Sequence, residues 1–278
     1  MKKTLLFIIL TFLSINLYAY TDSDMDGVDD SVDRCPNTLL TDLVDLSGCT
    51  TKSLVSSHSY DIIIGLNYSD SDYRNLNATD TLASSFQVDY YYKQFSFQAS
   101  TSYFTAESSE YSDNGFYDSF LGASYRLDTV DNLFISLNAG IILPTYDNEL
   151  NNNNIDYTTS INISYALKNV NLFGGYAYTL VNDDDVTVVV DSVDYTYLYQ
   201  NTNSYNAGIG YYLNDKLYMS VSYSTGDSIY NEEEEVESVS FYSYYSIDKD
   251  RFATLSYARG LSDTASDNYV SLRFGFLF

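Results

Sequence analysis

Histidine occurs once, cysteine twice and proline twice in 278 residues, and tryptophan is absent. A chain whose only histidine is His58 cannot assemble a multi-histidine metal centre, and a nucleophile paired with histidine has only that residue to draw on. Two cysteines, Cys35 and Cys49, exclude a disulfide-dense scaffold. Basic residues are scarce as well. The 13 Lys and Arg face 38 Asp and Glu, a formal charge of −25, which excludes a phosphate-binding footprint and, with it, nucleic acid as a partner. No stretch after the N-terminal segment approaches the ~18 consecutive apolar residues of a membrane-spanning helix. What abounds is aromatic: 31 Tyr and 15 Phe, too much for a disordered chain.

Residues 1–19 place Lys2 and Lys3 ahead of an apolar run from Leu5 to Leu13 and a more polar stretch ending in Ala19. This pattern predicts a secretory signal cleaved after Ala19. Export would put Cys35 and Cys49 where thiols oxidise.

Residues 20–52 predict a separate module. The run Asp22 to Asp33 reads DSDMDGVDDSVD, with carboxylates at loop positions 1, 3, 5, 9 and 12 and Gly27 at position 6. Calcium takes six to eight oxygens, and this alternation aims every second side chain at one centre while the glycine permits a sharp turn. The predicted ligands are Asp22, Asp24, Asp26, the carbonyl of Val28, Asp30 directly or through water, and Asp33, with Asp29 facing solvent. Together with the CPNT that follows (Cys35 to Thr38) and the later VDLSGC (Val44 to Cys49), the segment resembles a thrombospondin type 3 repeat of the kind that serves as a linker in OmpA-type outer-membrane proteins. The resemblance implies a bound calcium ion and a Cys35–Cys49 disulfide, a closed loop worth about 3 kcal/mol in the chain-entropy model. No peptidoglycan-binding domain follows, so that family's cell-wall role does not carry over.

Residues 53–278 alternate. Tyr60, Ile62, Ile64, Leu66 and Tyr68 share one face, and Asp61, Gly65 and Asn67 the other. Segments at Ser85–Tyr92, Phe95–Tyr103 and Tyr117–Tyr125 repeat the pattern. So do Leu133–Leu143, Tyr157–Leu167, Val170–Leu180, Tyr205–Leu213, Leu217–Tyr223, Val239–Ile247, Ala253–Tyr257 and Val270–Phe278. Period two means strands, about twelve of them. Short connections such as KNV (Lys168 to Val170) and NDK (Asn214 to Lys216) alternate with long polar loops near 70–80, 105–115, 144–155, 182–203, 225–237 and 260–268. The fold class is therefore an all-β, antiparallel transmembrane barrel of about twelve strands. A soluble sandwich gives the same alternation strand by strand, but not the long strands, the even count or the loop asymmetry. The final alternation Val270, Leu272, Phe274, Phe276, Phe278 resembles the closing strand of bacterial outer-membrane barrels, which implies a porin-like protein in the outer membrane with its N-terminal module in the periplasm.

Tyr68, Tyr92, Tyr103, Tyr125, Tyr165 and Tyr223 fall near predicted strand ends, where rings form girdles at the lipid headgroups. Lys93, Arg126, Lys168, Lys216, Lys249 and Arg251 lie at the short turns, and acids gather in the long loops. Twelve strands enclose more room than side chains fill in an eight-stranded barrel. Candidate lumen charges are Asp61, Asp89, Asp118 and Arg273, which would impose a transverse field if they meet. Ser, Asn and Gln residues such as Gln87, Gln98, Asn138 and Asn162 line the same face. The expected function is a passive channel for small hydrophilic solutes. The alternative is a structural or adhesive outer-membrane protein with calcium-dependent contacts to a partner such as a periplasmic protein. An enzyme is not expected, since His58 precedes the first strand and the Asp183–Asp185 pair sits in a solvated acidic run.

Overall fold

The computed structural model describes residues 22, 24, 28–35, 38, 43–45, 47–52, 58–72, 78–109, 112–130, 132–146, 154–190 and 193–278. The signal segment, Asp26, Gly27, Pro36 and Asn37 lie outside the described residues. The chain divides into two units, Met1–Ser57 and His58–Phe278.

In the first unit, β1 (Leu43–Val44) pairs antiparallel with β2 (Thr50–Lys52). A disulfide ties Cys49, at the end of the intervening turn, to Cys35, 14 residues earlier and ahead of β1. The Asp45 carboxylate accepts hydrogen bonds from the Ser47 hydroxyl and amide at 2.5 and 2.8 Å, and these hold its carboxyl below the usual range. A unit this small has little core, so the bridge and such turn bonds supply its order.

The second unit is built from β3 (His58–Ser71), β4 (Thr79–Tyr92), β5 (Phe95–Ser108), β6 (Ser112–Phe116), β7 (Ser119–Val130), β8 (Leu133–Leu143), β9 (Asp156–Leu167) and β10 (Val170–Leu180). It continues with β11 (Val186–Val190), β12 (Val193–Tyr197), β13 (Thr202–Asn214), β14 (Leu217–Gly226), β15 (Val236–Asp248), β16 (Arg251–Gly260) and β17 (Asn268–Leu277). Apart from the two departures described below, each strand pairs antiparallel with the next, and β17 pairs with β3 from Asn268↔Asp70 to Leu277↔Asp61. That last pairing closes the sheet on itself, so twelve antiparallel strands form a barrel.

Two features depart from a simple up-and-down count. β5 pairs with β6 over Tyr103–Glu107 and with β7 over Phe95–Ser100, so β6 and β7 act as one strand broken at Tyr117 and Asp118. The long connection after β10 contains its own hairpin, β11 with β12, which belongs to neither neighbour's sheet. Much of what the composition marks as polar loop is thus extended strand, because backbone pairing tolerates Ser, Asp and Asn wherever a partner strand supplies the hydrogen bonds.

The short connections are tight. Lys93 and Lys168 adopt φ of 53° and 54°, the left-handed conformation that two-residue hairpins demand. Among the described residues only Ile63, Ala83, Phe104, Ala106 and Phe252 are buried apolar side chains. A sandwich would bury its apolar face. Here Ile64 and Leu66 stay 48% and 57% exposed while Asp61 and Ser271 across the pleat are 6% and 3% exposed, an inverted pattern that only a barrel with an apolar surround accommodates.

Candidate functional site: the barrel lumen

The outward face carries an apolar belt that runs through every barrel strand, including Leu82, Phe97, Leu121, Ile163, Ile209, Val221, Leu255 and Phe274. Tyrosines close the belt at the long-loop rim. Tyr68 donates its hydroxyl to Asp80 (2.7 Å), Tyr103 to Asn114 (2.7 Å), Tyr176 to Asn203 (2.8 Å), Tyr223 to Glu237 (2.8 Å) and Tyr257 to Asn268 (2.9 Å). Each ring lies on the belt while its hydroxyl reaches a polar group nearer the loops, the arrangement an amphipathic ring adopts between oil and water. At the opposite rim, Tyr60 stacks on Phe278 with ring centroids 5.0 Å apart, and Phe95 packs on Tyr125 at 4.8 Å. Of the six girdle tyrosines expected from sequence, Tyr68, Tyr103, Tyr125, Tyr165 and Tyr223 are exposed large side chains and Tyr92 is half-buried.

The inward face is polar, with small residues and a few large rings. Those rings do not project freely. Phe120 lies over Gly122 and Gly140, Phe173 over Gly208, Tyr218 over Gly210 and Phe252 over Gly275, each close enough that a Cβ on the glycine would collide with the ring. A glycine on the neighbouring strand gives the ring a bare backbone to lie against, so it folds along the wall. Alternation reveals that both residue types face inward, but which glycine meets which ring depends on register.

Three of the four candidate lumen charges come together. Asp61 on β3 and Asp89 on β4 are register partners, 6% and 8% exposed. Tyr91 donates to Asp61 Oδ2 at 3.2 Å, and Gln87 Nε2 donates to Asp89 Oδ2 at 2.7 Å. Arg273 on β17 donates to Gln87 Oε1, 186 residues away in sequence and brought near by closure of the barrel. Asp61, Asp89, Tyr91, Tyr242, Tyr244 and Arg273 line one cavity of about 340 Å³. A second inward hollow of about 310 Å³ is lined by Gln98, Asn138, Ser160 and Asn162, among others.

Asp118 takes no part in that group. It sits at the break between β6 and β7, and its carboxylate accepts the Tyr146 amide at 3.0 Å. The same use of aspartate recurs around the long-loop rim. Asp156 accepts the Asn182 amide (2.7 Å), Asp183 the Asn154 amide (3.2 Å), Asp185 the Tyr199 amide (2.9 Å) and Asp267 the Asp72 amide (3.0 Å). Asp227 takes both the Asn203 amide and its side-chain NH2 at 2.8 Å, which hold its carboxyl below the usual range. These acids stitch loop bases together by satisfying backbone donors that the ladder leaves over. Asp183 and Asp185, expected in a solvated charge run, are part of this stitching.

In the N-terminal unit two of the described acids accept backbone amides. Asp24 Oδ2 accepts the Thr38 amide at 2.6 Å and Asp33 Oδ1 the Cys35 amide at 2.8 Å. The other oxygen of each, Asp24 Oδ1 and Asp33 Oδ2, is shielded from solvent without a hydrogen bond, and Asp22 Oδ1 is shielded too. Asp30 is exposed. Asp29, expected to face solvent, is instead half-buried and caps its own turn by accepting the Ser31 amide at 2.9 Å. Among the described residues no three acids, histidines or cysteines close on one point; Asp26 lies outside them.

No family model matches the chain, and no curated protein matches its sequence. Solved structures do match its fold. An outer membrane channel from Pseudomonas putida F1 superposes with a TM-score of 0.66 at 10% identity, over 79% of this chain and 95% of that one. The NanC porin superposes with a TM-score of 0.53 at 12% identity, over 78% of this chain and 98% of that one. At such identities the likeness is one of fold.

Proposed function

We propose that this chain is an outer-membrane β-barrel that acts as a passive channel for small hydrophilic solutes, with a calcium-binding module on the periplasmic side. The observation that carries the channel reading is the wall itself: twelve strands close around an inward face rich in Ser, Asn, Gln and Gly, and four of its large rings, Phe120, Phe173, Tyr218 and Phe252, lie against glycines of the wall. Wall-hugging rings leave water a path, and the apolar belt seals the outside in lipid. Both solved neighbours that superpose well are described as a channel or a porin, which agrees with this reading. Refolded protein in a planar bilayer should give discrete, weakly voltage-dependent conductance steps. Silence from protein whose gel mobility and circular dichroism report a folded barrel would overturn the channel.

The calcium reading is supported by two buried carboxylate oxygens, on Asp24 and Asp33, that lack hydrogen bonds while their sister oxygens are used. Buried polar atoms are satisfied as a rule, and a cation would satisfy both. Asp22, Asp24, Asp26, Asp33, the Val28 carbonyl and a water on Asp30 would hold it. Calcium removal should raise amide exchange across residues 22–49 and leave the unfolding free energy of the barrel unchanged within about 0.5 kcal/mol, since sites with no shared partners act independently. Hydrogen exchange and urea titration with and without chelator read the two effects separately. Equal loss in both would contradict an independent module, and no effect of chelator on residues 22–49 would contradict calcium.

One observation favours the adhesive alternative. The β11–β12 hairpin lies outside the barrel sheet, and among the described residues its outer strand edges pair with no other strand, the kind of edge a partner strand can join. Deleting residues 184–198 should abolish surface attachment under that reading and leave conductance intact under the other.

A further inference from the structure

We infer that the Asp61–Asp89 pair is a station for the ammonium group of a small organic cation. This deepens the channel reading, on which the station's use in transport rests, whereas its occupancy can be tested without transport.

The starting point is an electrostatic mismatch. Two carboxylates on the same face of directly opposed residues stand with Cβ atoms about 4.5–5.5 Å apart, and like charges so placed oppose folding. Here both are more than nine-tenths buried. Neither has an ion-pair partner within 4 Å among the described residues. The nearest cation, Arg273, is held off by Gln87, which takes the guanidinium on its carbonyl oxygen and turns its own NH2 to Asp89. Asp61 shows the deficit most clearly. Tyr91 serves its Oδ2, while Oδ1 is shielded and makes no hydrogen bond. That oxygen belongs to a side chain lining the cavity of about 340 Å³ described above.

The chemistry of the remaining walls selects the occupant. Calcium and magnesium want six or more oxygens, and the Arg273 guanidinium on the same wall repels a doubly charged ion about twice as strongly as a singly charged one. An ammonium group is satisfied by three acceptors and by aromatic faces, which attract cations through the ring quadrupole. Tyr244 and Phe252 stack on each other with centroids 5.2 Å apart, an apolar part of the lining beside which the rest of such a solute can lie. The cavity volume matches a ligand of about ten heavy atoms or fewer, at the small end of ligand sites. An anion of the same size meets two carboxylates, and the guanidinium on the wall, Arg273, is already engaged by Gln87.

Benzylammonium chloride is the probe, with benzoate as the anion of matching size. Both are titrated calorimetrically into the refolded full chain in an uncharged maltoside detergent. Benzylammonium should bind at one site, with benzoate weaker by on the order of tenfold or more, and the Asp61→Asn/Asp89→Asn variant should lose the ammonium affinity by a similar factor, as desolvated charge pairs do on truncation. Asp118→Asn, at the rim, should bind as the parent does. Equal binding of the two probes, or unchanged ammonium affinity in a folded double variant, overturns the station. If the double variant does not fold, the single variant Asp61→Asn takes its place, because a chain of formal charge −25 favours a cation over an anion at any site; unchanged ammonium affinity in it overturns the station. Planar-bilayer recordings separate the two readings: a bilayer that is silent although ammonium binds sinks the channel and keeps the site, whereas conductance without ammonium preference keeps the channel and sinks the site.

Discussion

Replacing Ile64 by arginine should destabilise the folded protein in lipid vesicles by about 2–4 kcal/mol, the cost of placing arginine on the lipid face of a barrel at mid-depth. Ile64 lies midway along β3 between the outward Tyr60 and Tyr68, and its register partners are Phe86 on β4 and Phe274 on β17. It is 48% exposed. On a water-soluble protein, a half-exposed isoleucine changed to arginine is close to neutral. The size of the effect is therefore a measure of the medium around the strand. Leu261 supplies the comparison, because it is 54% exposed but follows β16 on the long-loop side. Leu261→Arg should cost no more than about 1 kcal/mol, since the penalty falls away near the interface. Urea unfolding of both variants against the parent, in the same vesicles, gives the ratio. Two small and equal effects would show that the belt is not in lipid and would remove the membrane from the account.

The second large effect is expected at Gly208. This residue faces inward on β13, and Phe173 on β10 lies across it. A Cβ there would collide with the Phe173 ring and would also stand 2.6 Å from the backbone oxygen of Val221 on β14. The ring can swing away, but the backbone oxygen belongs to a ladder and cannot. Gly208→Val should therefore cost about 1–3 kcal/mol, the range for overpacking. It should also lower single-channel conductance, because the displaced ring has only the lumen to enter. Adding Phe173→Ala should restore conductance while recovering stability only in part, since the clash with Val221 remains. Gly275→Ala is the milder counterpart, with only the Phe252 ring in the way. Unchanged stability and conductance in Gly208→Val would mean that the rings do not need their glycine floor.

Much of this architecture is legible in the sequence for a local reason. A strand exposes alternate residues to two different surroundings, so a two-sided wall writes itself as period two within each strand, whatever that strand later pairs with. The strand number, the short and long connections and the tyrosines at strand ends follow from that pattern. The cysteine pair also forms as its resemblance implies. Less legible are the rim aspartates. A charge run looks solvated in sequence, and nothing local signals that Asp118 and Asp183 will each meet a backbone amide from another connection, or Asp185 the Tyr199 amide beyond the β11–β12 hairpin.

The lumen charges show the division most plainly. The sequence by itself determined that Asp61, Asp89 and Arg273 would share the polar face of their strands, because period two fixes the face. Only the tertiary structure decided which of them meet. Asp61 and Asp89 stand opposite each other because β3 and β4 pair in one particular register, and Arg273 reaches Gln87 because the last strand returns to the first. Asp118 is lost to the group because a break between β6 and β7 turns it toward Tyr146. Face is set by neighbours in the chain, whereas register and closure are set by strands as much as 200 residues apart whose relative slip no local pattern records.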